Sequence, residues 1–180
     1  MVKILLHAKD KFLLIFIITS IIYSNEDIYK QLQSELILAQ EGDVIQLPEG
    51  KFYLSRSLWG DNLNNIKIKG QGIDRTILSF ENQIEGAEGI KIINSRNVYM
   101  EDFTIENSKG DLIKVEDSEG VYFKNIKAQW TYGPKETNGS YAFYPVKSKD
   151  VLLDNCIAIG ASDAGIYVGQ SNNIIVKNCT

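Results

Sequence analysis

The chain has 180 residues, 44% of them hydrophobic, with 14 glycines and 3 prolines, which suits one domain with a substantial core. Its net charge is −4, and setting aside residues 1–24 leaves 16 basic against 22 acidic residues, a charge of −6. An acidic surface argues against nucleic acid and against anionic lipid as partners. The only histidine is His7, so residues 25–180 offer no Ser-His-Asp or Cys-His catalysis and no histidine metal ligand.

Residues 1–24 read as a signal peptide. Lys3, His7, Lys9 and Lys11 form a basic start, and Phe12–Tyr23 is a 12-residue apolar run, too short for a comfortable membrane span. Ser24 is a small residue before a cut. An uncleaved anchor is the alternative, and in either case the rest is exported, secreted or periplasmic. No membrane span is expected after cleavage.

Residues 25–41 are expected to hold a helix. Asn25 is a candidate cap, with Glu26 and Asp27 in the first turn. Ile28, Leu32, Leu36 and Ala39 share one face, which Ile37 and Leu38 widen. Such a helix would close the open end of a stacked core. From Gly42, Ile45 and Leu47 alternate inward, Pro48-Glu49-Gly50 turns the chain, and Phe52 and Leu54 resume. Ile66 and Ile68 match Val98 and Met100 one step later, with Gly70 in a turn position.

From Gly89 the chain repeats itself. Ser95, Ser118, Ser148 and Ser171 are separated by 23, 30 and 23 residues, so one repeat carries a seven-residue insertion, between Trp130 and Tyr141. Val98, Val121, Val151 and Ile174 form one apolar column, and Met100, Phe123, Leu153 and Val176 another two residues on. Period two means strand. Asp102, Asn125, Asn155 and Asn178 follow, residue types that tolerate left-handed backbone and mark a turn. Each repeat therefore holds three short strands and buries its inner residues only by stacking on its neighbours.

The three-strand coil, the asparagine ladder after the second strand and the 23-residue step resemble a right-handed parallel β-helix of the pectin-lyase-like superfamily, all-β with an N-terminal capping helix. The resemblance covers 42–180. The chain stops partway through a coil, so a C-terminally truncated domain is expected.

Outward residues of the first strand are Lys91, Lys114, Tyr144 and Tyr167, one column of cations and rings. Tyrosine offers a flat face to a sugar, and lysine suits a carboxylated one. Trp130, Tyr132, Lys135 and Tyr141 lie on or near the insertion, expected beside that column. The resemblance implies a polysaccharide groove here, an acidic glycan as partner, and a lysine base for β-elimination, with Lys114 and Lys135 as candidates. The missing histidine departs from relatives that need a histidine base.

Asp163 lies at the mouth of the first strand, with Asp111 two coils below. Paired carboxylates could act as glycosidase acid and base, or hold Ca2+, although two coils is roughly 10 Å of separation. No other cofactor is suggested. Glu101, Lys124, Asp154 and Lys177 alternate in sign up the stack. Tyr99, Tyr122, Leu152 and Ile175 point outward yet are apolar, a candidate protein contact. That column supports the alternative reading, a non-catalytic surface scaffold or interaction module. Cys156 and Cys179 share an inward column at a spacing a disulfide tolerates, but in-register strands point both side chains the same way, so stacked thiols are expected with a bridge as the alternative.

Overall fold

A computed structural model describes residues 25–180, and the expected signal peptide lies outside them. The chain folds as a right-handed β-solenoid of about 5 turns. Helix α1 (Asn25–Leu38) comes first. Strands β1 (Val44–Gln46), β2 (Gly50–Tyr53), β3 (Arg56–Asp61), β4 (Asn64–Lys69), β5 (Thr76–Ser79), β6 (Glu85–Ile93), β7 (Arg96–Glu106) and β8 (Ile113–Glu116) follow. The chain continues through β9 (Glu119–Gln129), β10 (Tyr141–Val146), β11 (Lys149–Asp154), β12 (Ile157–Ile159), β13 (Ala164–Ile166) and β14 (Asn172–Lys177).

Every pairing is parallel. One sheet runs β3-β6-β8-β10-β13 and carries the first strand of each coil. The second and third strands share one larger sheet, because β7 and β9, 11 residues each, pass through the corner without a break. The corner expected at the asparagine ladder is therefore a bend inside one strand. Asp102 (φ 63°) and Asn125 (φ 51°) supply it, since one left-handed residue redirects the chain while pairing continues on both sides. The ladder bonds as expected: Asn125 Nδ2 donates to Asp102 Oδ1 at 2.9 Å, and Asn155 Nδ2 to Asn125 Oδ1 at 2.7 Å. Asn178 leaves it, donating to Asp154.

The repeating serine has a job that its spacing alone did not disclose. Each sits at the corner before the second strand, Ser95, Ser118 and Ser148 buried and Ser171 partly so, and its hydroxyl does two things. It donates back to the carbonyl two residues earlier and accepts the backbone N–H of the equivalent residue one coil below, which is Leu63 for Ser95 and a serine for the other three. The steps are Ser95 N–H to Ser118 Oγ at 3.0 Å, Ser118 to Ser148 at 3.3 Å, and Ser148 to Ser171 at 3.0 Å. A short hydroxyl thus satisfies a buried N–H that the ladder bonds cannot reach.

The apolar columns fill the interior. Val98, Met100, Phe103, Val121, Phe123, Val151 and Leu153 are buried, in register coil upon coil. α1 covers the first coil with Ile28, Leu32 and Leu36, all buried. Two expectations about this helix are corrected. Ile37 and Leu38 are 67% and 74% exposed, because the buried stripe is one residue wide per turn and they fall outside it. Asn25 Oδ1 accepts from the N–H of Tyr53 at 2.9 Å, so its side chain pins the helix start to β2. Gly70 is a glycine for a different reason from the one expected. Its φ is not left-handed, but a Cβ there would stand 2.1 Å from the Asp102 carbonyl oxygen.

Cys156 and Cys179 are free thiols, and burial pushes the Cys156 thiol up to about 12. A thiol that stays protonated at neutral pH neither attacks nor binds metal.

Candidate glycan-binding face

The first-strand sheet presents its outward residues in register. Lys91 pairs with Lys114, and Lys114 with Tyr144. Tyr144 and Tyr167 rings lie 5.5 Å apart. The column also extends one coil further than expected, because Trp59 pairs with Lys91 and is 43% exposed. The signal was present: Ile66 and Val98 differ by 32 positions, as do Trp59 and Lys91. The edge beside Trp59 is closed by α1, where Gln33 bonds both the N–H and the carbonyl of Trp59.

Tyr141 joins the upper end. Its ring stacks on Tyr167 at 4.6 Å and 17°, and lies 4.8 Å from Tyr144. Three rings therefore form one aromatic platform. Below it, Lys114 Nζ stands 5.3 Å over the Tyr144 ring and 3.6 Å from Glu116 Oε2. The ring and the carboxylate together fix the position of the ammonium group. Glu116 and Lys147, both bonded into this group, carried no assignment from the sequence.

Tyr141 also ties together the two aspartates at the strand mouth. Its N–H donates to Asp111 Oδ1 at 3.0 Å, and its hydroxyl engages Asp163. Burial raises the Asp111 carboxyl above the usual range. The Glu88 charge adds to that shift, while the Tyr141 N–H and Lys114 oppose it. Burial, followed by Asp163, raises the Tyr141 phenol. Asp111 and Asp163 face one tyrosine from different coils, with Ser140 between them, whose carbonyl accepts the Asp163 N–H.

The raised Asp111 has a consequence for stability. Its folded-state affinity for the proton exceeds that of the unfolded chain, so the protonated form favours folding and that contribution is lost as pH rises. Asp111→Asn keeps the acceptor for Tyr141. It is expected to raise the melting temperature at pH 7, with the gain closing as pH falls below the ordinary carboxyl value of 3.8. Parallel thermal scans of the two proteins from pH 3 to 8 check this.

Two expected site residues do not belong to this face. Trp130 is 4% exposed, and its indole N–H donates to the Ser108 carbonyl at 2.9 Å. It closes the core under the insertion and has no free face for a sugar. Lys135 lies 5.1 Å over the Tyr132 ring, and the Tyr132 hydroxyl bonds Glu81, on the turn that follows β5. The insertion folds down the third-strand side of the solenoid, so Lys135 is not brought to Lys114. Among the described residues, no group of three or more His, Cys, Asp or Glu side chains is gathered to hold a metal ion.

On the second-strand sheet the apolar column is in register as expected. Tyr99 and Tyr122 stack at 4.6 Å and 7°, followed by Leu152 and Ile175, the last 54% exposed. Among the described residues, no helix is long and apolar enough to cross a membrane.

Coiled parallel strands with a ladder-capped core and a cation–aromatic outer column define a β-solenoid protein with one decorated sheet face. The chain belongs to the right-handed β-helix family, whose model matches residues 60–180. It is 26% identical over 169 residues to a pre-neck appendage protein of Bacillus phage B103, an alignment covering 77% of this chain and 19% of that protein. The chain thus spans about a fifth of that relative's length. Among solved structures, a candidate glycosyl hydrolase from Parabacteroides merdae shares the fold at TM-score 0.55 and 16% identity, covering 78% of this chain and 73% of that one.

Proposed function

We propose that the first-strand sheet binds an acidic polysaccharide laid along the solenoid axis. The observation that carries this is the in-register column Trp59, Lys91, Lys114, Tyr144, Tyr167, with Tyr141 stacked on its end. Coils repeat about every 4.8 Å, a spacing that lets successive sugars of an extended glycan meet successive rungs. The rings offer stacking faces and the lysines offer charge to uronate carboxylates. The name of the Parabacteroides protein supports a carbohydrate role for the fold, and the phage appendage name is compatible with one. The chain is read as acting outside the cell.

Lys114 serves in this reading as a carboxylate ligand. If the face also carries chemistry, Tyr141 with Asp111 and Asp163 is the group placed to move a proton, because a carboxyl whose proton affinity is raised by burial and a phenol bonded to a second carboxylate are gathered at one end of the column. The test is a binding and turnover screen of the chain against polygalacturonate, alginate and uncharged galactan, with and without Ca2+. Saturable binding of the uronates, well above that of galactan, is the expected result. New absorbance at the unsaturated-uronate band would add lyase activity. Equal affinity for galactan would overturn the acidic reading.

A second reading rests on the outward Tyr99–Tyr122–Leu152–Ile175 strip, partly exposed along its length and exposed at Ile175, which suits contact with another protein. If sedimentation shows a stable oligomer that Tyr122→Glu dissociates, while no glycan binds, the scaffold role replaces the first reading.

A further inference from the structure

Glu116 is the one acidic side chain to which three lysines of this face are drawn. Lys114 and Lys91 stand 3.6 and 3.9 Å from its Oε2, and Lys147 stands 3.6 Å from its Oε1. The three come from three successive coils: Lys91 from β6, Lys114 from β8, and Lys147 from the residue after β10. Both carboxylate oxygens are used, so the lysines surround it as they would surround a free anion.

Lys147 reaches this position at a backbone cost. Its φ is 47°, in a column whose other left-handed members are Asn62, Asn94, Asp117 and Gln170. Asparagine and aspartate adopt that conformation readily, whereas a lysine there is strained. The side chain is thereby turned toward Glu116 rather than out along the turn. Three cations against one carboxylate leave the group with excess positive charge, on a chain that is acidic as a whole.

We propose that Glu116 occupies the seat of a ligand carboxylate: a uronate binds this face by displacing Glu116 from Lys91, Lys114 and Lys147, so Glu116 holds uronate affinity below what the three lysines alone would give. This rests on the reading of the face as a glycan-binding surface. An internal carboxylate competes at high effective concentration, so only a ligand that brings its own carboxylate, aligned with the neighbouring rings, recovers the lost ion pairs. An uncharged sugar brings no carboxylate to exchange and leaves Glu116 on its lysines. Lys147 is a specificity-determining residue in the same scheme, although it lies outside the strand column.

The experiment measures dissociation constants for oligogalacturonate and for uncharged galactan by calorimetry. It uses the native chain, Glu116→Gln, Lys147→Ala, the Lys91→Ala/Lys114→Ala double variant, and Asp74→Asn. Asp74 is an exposed residue on the loop between β4 and β5 and controls for the general gain of one positive charge. Melting temperatures show that each variant is folded. Glu116→Gln is expected to tighten oligogalacturonate by roughly three- to tenfold, with Asp74→Asn changing it less than twofold and galactan binding unmoved. Lys147→Ala is expected to weaken oligogalacturonate by a similar factor. Unchanged or weaker uronate binding in Glu116→Gln overturns the proposal, as does a gain equal to that of Asp74→Asn. If the native chain binds and the double lysine variant does not, the glycan-face reading stands whatever Glu116→Gln does. If the native chain binds no uronate, both fall.

Discussion

Removing Lys91 and Lys114 together is expected to weaken binding of an oligouronate by about two to three orders of magnitude. A hydrogen bond to a charged group contributes about 1.5–3 kcal/mol, or roughly 10- to 100-fold in affinity, and the two side chains sit on adjacent rungs of one column. Their heads are partly shielded, at 31% and 19% side-chain exposure, so solvent screens them less than it would a free surface lysine. They share Glu116, so their effects are coupled and the double loss falls below the sum of the single ones. The affinity lost is also expected to shrink as salt rises. Lys135→Ala supplies the contrast, because its ammonium covers Tyr132 on the other flank of the turn and its loss is expected to change affinity less than twofold. A Lys135 effect as large as that of the column pair would show that the insertion swings over the face.

Phe123→Ala is expected to cost about 3–5 kcal/mol of folding stability, measured by chemical denaturation. The ring is 1% exposed, lies between Met100 and Leu153 in its column, and meets Phe143 edge-on at 5.6 Å. A solenoid holds each coil only by its neighbours, so a cavity in one coil uncouples those on either side. The transition is therefore expected to broaden as well as shift. Tyr122→Ala, one position away on the outer face, removes a stacked ring pair with Tyr99 and is expected to cost no more than about 1 kcal/mol. Similar losses at the two positions would contradict the assignment of inner and outer faces.

The architecture was legible because a solenoid writes its geometry into spacing. Stacking in register forces equivalent residues to recur once per coil, so Val98, Val121 and Val151 announce an inward column, and Lys91, Lys114 and Tyr144 an outward one. The bend at Asp102 and Asn125 was equally visible, since few residue types accept left-handed backbone cheaply. The serine column was visible only as a landmark. Its role depends on which N–H lies above each hydroxyl, and that is a contact between coils.

What the sequence by itself determined is thus the period, the inner and outer faces, and the cation–aromatic character of one of them. Tertiary structure alone decided where the irregular parts go. A loop of the insertion's length can fold over either neighbouring sheet, and the Tyr132–Glu81 bond sends it down the third-strand side, taking Lys135 away from Lys114. Trp130 has the composition of a sugar platform, yet the Ser108 carbonyl and the core close around it. Lys147 reaches Glu116 across one coil because its backbone is left-handed at that position. Periodicity places residues that repeat; a side chain at a corner is placed by the atoms it meets on another coil, and those lie tens of residues away in the chain.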